Sequence, residues 1–245
     1  MKKLTKALAA LMLTAAVVCV AGCNKTDGPN NGGDGNEVEI NYVDGSYADL
    51  DLPSGTLWGT CNLGGVSPED LGHYFAWGET RPNDDDYDWN HYKYGNGSSF
   101  TDPQLTKYCN MERLGYNGYT DTLTTLLPED DAATAYGDST WCMPTEAQWE
   151  ELRQNATATW TTLNGVNGMA FTRNGKSIFI PAGGRRWGDY IQRKGIVGYY
   201  WSSTLHNWPY DALYFWVSVE GSNTANIERP YGFSIRPVRS PKFNP

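Results

Sequence analysis

MPTEAQWEEL, residues 143–152, is the clearest helix signal in the chain. The Thr145 hydroxyl can accept the Gln148 amide hydrogen while the Gln148 side chain accepts the Thr145 amide hydrogen, a reciprocal pattern called a capping box. Pro144 and Trp149 occupy the two positions of a hydrophobic staple around this cap. The stretch therefore predicts an amphipathic helix that begins after Thr145 and packs one face on the core.

MAFTRNGKSIFI, residues 169–180, is the clearest strand signal. Its central pair, Asn174-Gly175, readily adopts the positive φ angles of a type I′ turn, so the stretch predicts a β-hairpin. Further runs typical of short strands occur at residues 57–63, 74–77, 198–203, 212–219 and 231–238.

Residues 79–117 show no sustained periodicity and are dense in Asp, Asn, Gly, Tyr and Pro, which is typical of long ordered loops. Their aromatic residues are expected to fix these loops to the domain. One or two helices among short strands and long loops indicate an α+β domain.

The N-terminus has the layout of a secretory signal. Three lysines within residues 1–6 precede an apolar stretch, residues 7–20, that is too short to span a bilayer comfortably. Val20-Ala21-Gly22-Cys23 then resembles the lipobox of bacterial lipoproteins, in which the cysteine sulfur receives a diacylglyceryl group. We therefore expect residues 1–22 to be a lipoprotein signal peptide and Cys23 to be lipidated. An ordinary signal peptide with an incidental cysteine is the alternative.

The composition after Cys23 predicts a tether and one domain. Residues 24–41 are rich in Gly, Asn, Asp and Pro, so they cannot bury enough surface to offset chain entropy. We predict a flexible tether at residues 23–42 and a single domain at residues 43–245. Removal of the signal leaves 16 basic and 28 acidic residues, a formal charge of −12. This balance argues against nucleic acid and anionic lipid surfaces as partners.

Three cysteines follow the predicted lipidation site, namely Cys61, Cys109 and Cys142. An odd number allows at most one internal disulfide in an oxidising compartment, and the sequence does not choose the pair. Their spacing matches neither a zinc knuckle nor a redox CxxC pair.

Five short motifs occur in order along the domain: LPSGTLW at 52–58, YFAWGET at 74–80, WCMPT at 141–145, YWSS at 200–203 and GFSIRPV at 232–238. Together they resemble the Fibrobacter succinogenes major paralogous domain family, which is common in lipoproteins of gut Bacteroidetes and has no generally established activity. The resemblance spans residues 49–238. Cys142 stands where an arginine is expected in that family, either as a disulfide partner of Cys61 or Cys109 or as a small buried apolar residue.

Residues 143–150 and 232–236 are also similar to the formylglycine-generating enzyme superfamily, and this resemblance implies a C-type-lectin-like fold. The oxidases of that superfamily bind copper through two cysteines late in the domain. No cysteine follows Cys142 here, so the resemblance implies the scaffold without that activity.

Candidate metal ligands are few. His73, His91 and His206 lie far apart and lack the spacing of a zinc hydrolase. The acidic runs 84–86 and 129–131 offer oxygen ligands for calcium, although Asp130-Asp131 suit the N-terminus of a helix equally well. Calcium is therefore possible but not favoured, and no cofactor is expected.

The ligand surface is predicted from the fold that the resemblance implies, because loops before the last hairpin carry ligands in C-type-lectin-like domains. The residues concerned are Arg185, Arg186, Trp187, Asp189 and Tyr190 in one segment and Asn207, Trp208 and Tyr210 in the next. Flat aromatic rings can stack on a sugar face, whereas the alternative is that these rings pack their loops onto the domain.

These observations predict a lipoprotein of the outer membrane, facing either the periplasm or the exterior, that acts as a non-catalytic binding or adhesion module. Its expected partners are the membrane, through the lipid anchor, and a glycan or a surface protein. No nucleophile with a matching base is evident, so no catalytic residue is assigned. The alternatives are an enzyme derived from the formylglycine-generating scaffold and a structural subunit of a surface assembly such as a pilus tip.

Lipidation at Cys23 can be tested directly. Cells fed an alkyne-bearing fatty acid should label the wild-type protein and leave Cys23→Ser unlabelled, as judged by in-gel fluorescence after conjugation to a dye. Cys19→Ser, which changes the other cysteine of the leader, should label normally. Labelling of Cys23→Ser at the wild-type level would contradict the prediction.

Overall fold

The computed structural model describes residues 46–83, 86–137 and 139–240. The predicted signal peptide, Cys23 and the tether lie outside these residues. The described chain is a mixed, mainly β structure with two α-helices, which confirms the α+β class. Within the same residues, no helix has the length and hydrophobicity needed to span a bilayer.

The helices are short and the strands are grouped in small antiparallel sheets. The helices are α1 (Ala132–Tyr136) and α2 (Glu146–Asn155), with 3-10 turns at Glu112–Leu114, Tyr116–Gly118 and Pro128–Asp130. The strands are β1 (Tyr47–Asp49), β2 (Leu57–Gly59), β3 (Thr157–Leu163), β4 (Val166–Arg173), β5 (Lys176–Pro181), β6 (Arg185–Trp187), β7 (Tyr190–Gln192), β8 (Val197–Leu205), β9 (Asp211–Ser218), β10 (Gly221–Glu228) and β11 (Val238–Arg239). The sheets have the orders β1-β2-β11, β3-β4-β5, β10-β9-β8 and β6-β7.

Helix α2 forms as its sequence predicts. Thr145 and Gln148 make the full capping box, and the helix ends at Asn155 because Ala156 has an extended conformation. Trp149 is fully buried and stacks on Phe215 of β9, with ring centroids 4.5 Å apart and planes 8° from parallel. One large aromatic side chain thus fixes the helix to the β10-β9-β8 sheet.

The predicted hairpin is β4–β5, with Asn174 and Gly175 at φ angles of 50° and 75°. A second pair of the same type, Asn164-Gly165, joins β3 to β4. Strand β3 was not predicted from the sequence. The predicted strand at residues 57–63 is shortened to β2.

The runs at residues 74–77 and 231–238 are largely irregular. They meet at an isolated bridge between Phe75 and Phe233, and only Val238 continues into a short strand. Alternating apolar residues in these runs reflect burial of an irregular backbone rather than a sheet.

The loops between residues 79 and 117 contain no strand and no α-helix in their described part, as predicted. Most of their aromatic side chains are buried, and two of them donate hydrogen bonds to backbone carbonyls. The Tyr87 hydroxyl donates to the Tyr74 carbonyl at 2.5 Å, and the Tyr92 hydroxyl donates to the Trp77 carbonyl at 2.7 Å. An irregular backbone lacks the hydrogen bonds that neighbouring strands make in a sheet. The tyrosine hydroxyls supply donors for its carbonyls instead.

Asp130 also fixes these loops, through its side chain. Its carboxylate accepts hydrogen bonds from the hydroxyls of Tyr94 and Tyr108 and from the ammonium of Lys107. Although burial raises the pKa of Asp130, these three donors hold it below its ordinary value. The adjacent Asp131 caps α1 by accepting the amide hydrogen of Thr134.

Arg236 joins the beginning, middle and end of the domain. It is fully buried, and its guanidinium donates to the Asn62 side chain and to the carbonyls of Gly59, Thr60 and Phe179. Burial lowers the pKa of Arg236, and no carboxylate bonds to it within the described chain. A delocalised cation whose donors all face oxygen atoms can be tolerated in such a site.

None of the disulfides considered from the sequence forms among the described residues. Cys109 is buried and its thiol donates to the Met111 carbonyl at 3.3 Å. Burial raises the pKa of Cys142 to about 11, which keeps its thiol protonated and unreactive at neutral pH. Cys142 is partly buried and packs against the core, which is closer to the second role considered for it, a small buried apolar residue, than to a disulfide partner.

Replacing Arg236 with Met should reduce the free energy of unfolding by at least about 3 kcal/mol, because three buried oxygen acceptors lose their donor and each such loss costs ~1–3 kcal/mol. Urea denaturation followed by tryptophan fluorescence measures this change. Arg81→Met, at an exposed position, is the matched control. Equal stability of the two variants would show that Arg236 does not hold the domain together.

Candidate functional site

The first predicted ligand segment is a β-hairpin and not a long loop. Strands β6 and β7 pair Trp187 with Tyr190, and Gly188-Asp189 form the turn, with Gly188 at a φ angle of 59°. Asp189 and Tyr190 are exposed, and Tyr190 keeps 55% of its surface in contact with solvent. The prediction of a loop here was wrong because a two-residue turn was not recognised.

Alternation along β6 separates the predicted residues onto two faces. Trp187 lies against Tyr231 with ring centroids 4.2 Å apart, and the Arg185 guanidinium lies 4.8 Å from the same Tyr231 ring. Arg186 points the other way, over the ring of Tyr74 at 5.7 Å. Arg185 and Trp187 can therefore contribute to one surface, and Arg186 does not share it.

The second predicted segment is the short turn between β8 and β9. Trp208 and Tyr210 are nearly parallel, with ring centroids 6.2 Å apart, and the Arg113 guanidinium lies 5.9 Å from the Trp208 ring. Asn207 is exposed beside them. Phe100, from the long loops, packs on Tyr210 with centroids 5.9 Å apart. This segment therefore forms an aromatic group with contributions from two parts of the chain.

Residues 228–231 run between the two aromatic groups. The Arg229 amide donates to the Tyr210 carbonyl at 3.1 Å, which connects this segment to the second group. The Tyr231 ring contacts the Trp187 ring of the first segment, and the Tyr231 amide donates to the Glu228 carbonyl at 3.3 Å. The two segments were predicted to form one surface. In the structure, both contact residues 228–231.

An open depression of about 280 Å³ lies beside the second group, and its lining residues are Phe100, Tyr210, Asp211, Asn226, Ile227 and Glu228. Phe100 is 47% exposed and Trp208, adjacent in the turn, is 45% exposed. The volume is close to the lower limit of small-molecule sites, ~300–1,000 Å³. Exposed rings beside a polar floor are the arrangement that can hold a ring-shaped polar ligand.

The floor of this depression contains two carboxylates. Asp211 and Glu228 are direct cross-strand partners at the end of the β9–β10 pair. The Asn226 amide donates to Asp211 Oδ2 at 2.6 Å, and the Trp89 indole donates to Glu228 Oε2 at 2.5 Å. Each carboxylate is thus held through one oxygen by an uncharged donor.

Burial dominates the electrostatics of this pair. It raises the pKa of Asp211, although the Asn226 hydrogen bond and the charges of His206 and Arg229 oppose the shift. Burial also raises the pKa of Glu228; the Trp89 hydrogen bond opposes this shift, and the Asp211 charge adds to it. Two like charges directly opposite each other on adjacent strands destabilise the pairing.

The sequence did not indicate Phe100, Asp211, Asn226 or Glu228 as site residues. Phe100 comes from a loop without periodicity, and Asn226 and Glu228 belong to a polar strand, β10, that lacks the usual β-forming residues. A signal was present at Gly221, directly after the two-residue turn Val219-Glu220, because a turn there places residue 228 opposite residue 211.

The acidic runs considered for calcium serve other roles where they are described. Asp130 and Asp131 accept hydrogen bonds from the protein itself, and Asp131 caps a helix as the alternative interpretation proposed. Asp84 and Asp85 lie outside the described residues. The described part of the chain has no group of three or more His, Cys, Asp or Glu side chains arranged to hold a metal ion.

Comparisons of the chain with models of protein families, with curated proteins and with solved structures found no match. The resemblance to the Fibrobacter succinogenes family therefore rests on the five motifs alone. In the structure, the large residues of these motifs, such as Trp58, Trp77 and Trp201, are fully buried. The motifs bear on how the domain packs and do not identify its ligand.

Replacing Glu228 with Gln should raise the midpoint of thermal unfolding at pH 7 by about 2–4 °C, the shift that ~1 kcal/mol produces in a domain of this size. A raised pKa means that the folded state favours the protonated acid, so ionisation at neutral pH destabilises the fold. The difference from wild type should therefore disappear as the pH falls below the ordinary Glu value of 4.5.

Scanning calorimetry at several pH values measures this effect. Glu220→Gln, at the exposed turn of the same hairpin, makes the same change in charge and should leave the midpoint unchanged. A lower midpoint for Glu228→Gln at pH 7 would show that its charge is compensated in the folded protein.

Proposed function

We propose that this protein is a non-catalytic binding or adhesion module that is anchored to the outer membrane through Cys23 and binds a glycan. The observation that carries the proposal is the depression beside Tyr210, where half-exposed aromatic rings border hydrogen-bonding side chains. Rings supply a stacking face at small entropic cost, and carboxylate and amide groups accept and donate to hydroxyls. A surface protein is the alternative ligand.

The domain fold that we propose is C-type-lectin-like, within the Fibrobacter succinogenes major paralogous domain family. Support comes from the five motifs in order and from their common role in the structure. GFSIRPV contributes Phe233 and Arg236, and YWSS contributes Trp201, which stacks on Phe233 with ring centroids 4.2 Å apart. Motifs distant in sequence are therefore in direct contact, which is what a shared scaffold requires.

A structural role in a surface assembly is the second candidate, and strand β3 is the observation that favours it. This strand is at the edge of its sheet, is largely exposed and contains no charged residue. Natural proteins usually protect such edges with charges or proline, since an open edge can pair with a strand of another chain. Concentration-dependent assembly that Thr161→Lys abolishes would favour this candidate over glycan binding.

The glycan proposal is tested with residues 24–245, produced without the leader and so without the lipid, on a glycan array with and without calcium. Trp208→Ala should weaken binding at least about tenfold, equivalent to ~1.4 kcal/mol, through loss of an exposed stacking face. Trp187→Ala tests whether the first aromatic group takes part.

Tyr47→Ala removes an exposed ring from β1, outside both groups, and should bind as wild type does. Clean folding with no binding to any glycan would overturn the proposal and favour a protein partner or a structural role.

A further inference from the structure

We propose that the ligand of the depression carries a protonated amine, and that it is an oligosaccharide containing an unacetylated amino sugar. This inference rests on the proposed function, since it names the chemistry of the glycan for the same site. It follows from the charges on the floor of the depression and not from the aromatic rings alone.

The first step is that the two carboxylates have no cation in contact. Neither Asp211 nor Glu228 forms an ion pair with a lysine or arginine in the described chain, and their hydrogen-bond donors, Asn226 and Trp89, are uncharged. Asp211 is only 8% exposed and still lines the depression. Two partly desolvated negative charges are therefore held side by side, at a cost to the fold, facing the space that a ligand can enter.

The second step is that no nearby basic group of the described chain contacts either carboxylate, and that Arg113 lies instead over the Trp208 ring, at 5.9 Å. The Arg229 guanidinium is fully buried; its Nη1 donates to the carbonyls of Lys107 and Tyr108, and it lies over the Trp77 and Tyr92 rings. The His206 Nδ1 atom accepts the amide hydrogen of Trp208 at 3.3 Å. Both groups favour ionisation of Asp211 at a distance, and neither contacts its carboxylate.

The third step concerns the free oxygen atoms. Asp211 Oδ1 and Glu228 Oε1 have no hydrogen-bond donor among the described residues, while the second oxygen of each carboxylate is already occupied. An ammonium group has three donors, and because Asp211 and Glu228 are direct cross-strand partners, the free oxygens of both carboxylates are acceptors for it. A calcium ion prefers several carboxylate ligands, whereas the described residues contain no group of three or more His, Cys, Asp or Glu side chains arranged to hold a metal ion.

The rings decide between an amino sugar and a lysine side chain. Phe100 and Tyr210 line the depression beside the carboxylates, with Trp208 stacked on Tyr210, and a pyranose can lie against such rings while its amine reaches the carboxylates. A lysine stem is narrow and would leave these rings exposed. The cation also gains from the neighbouring ring faces.

The experiment compares the β-1,4-linked tetramer of glucosamine with its fully N-acetylated counterpart by isothermal titration calorimetry at pH 6.5, using unlipidated residues 24–245. Wild type should bind the free amine at least tenfold more tightly than the acetylated tetramer. Asp211→Asn and Glu228→Gln should each lose this preference, because they keep the shape of the site and remove one charge. Glu220→Gln, with the same change in charge at the far end of the hairpin, should keep it.

The outcomes separate this inference from the proposed function. Equal binding of the two tetramers, weakened by Trp208→Ala and unaffected by Asp211→Asn, would overturn the amine assignment and leave a glycan-binding module. Tighter binding of a tetralysine peptide than of the glucosamine tetramer, dependent on Asp211, would overturn the assignment to a sugar. Binding of no glycan on the array would remove both proposals together.

Discussion

The fold depends on side-chain donors that satisfy an irregular backbone. Arg236 donates to oxygen atoms in two other segments, residues 59–62 and Phe179, and the Tyr87 and Tyr92 hydroxyls donate from the loops to backbone carbonyls. A chain with small sheets and long connections has few ladders to pair its own carbonyls. Tyrosine and tryptophan side chains compensate for this, since each fills space in the core and donates a hydrogen bond to a backbone carbonyl through its one polar atom.

Local signals predicted the elements that local chemistry determines. The capping box at Thr145 and the Asn174-Gly175 turn need only neighbouring residues, so both could be read from the sequence. Strand β3 was missed although Asn164-Gly165 gives the same signal, because its threonine-rich run follows the helix directly and alternates through only two apolar residues, Ala158 and Trp160. Phe75 and Phe233 could not be told from strand residues, since burial alone produced their pattern.

The candidate site was predictable only in part. Trp208 and Tyr210 were chosen for their chemistry, and the structure places them together. Asp211 and Glu228 depend on the register of two strands and on the approach of Trp89 from a distant loop, which no single stretch of sequence encodes. Arg186 was grouped with Trp187 by proximity in sequence, whereas strand alternation places the two side chains on different faces.

Strand β1 gives the domain a mechanical property. It is the first described strand after the predicted tether, and it is held to β2 by only three residue pairs, from Tyr47↔Gly59 to Asp49↔Leu57. With the proposed lipid anchor, tension between the N-terminus and a bound ligand would reach the described domain first at β1. Strand β2 also pairs with β11, so the load passes directly to the C-terminal segment beside Arg236. Detachment of β1 from β2 would lengthen the segment between the anchor and the domain. The β9–β10 pair, which carries Asp211 and Glu228, does not include β1 and would stay intact.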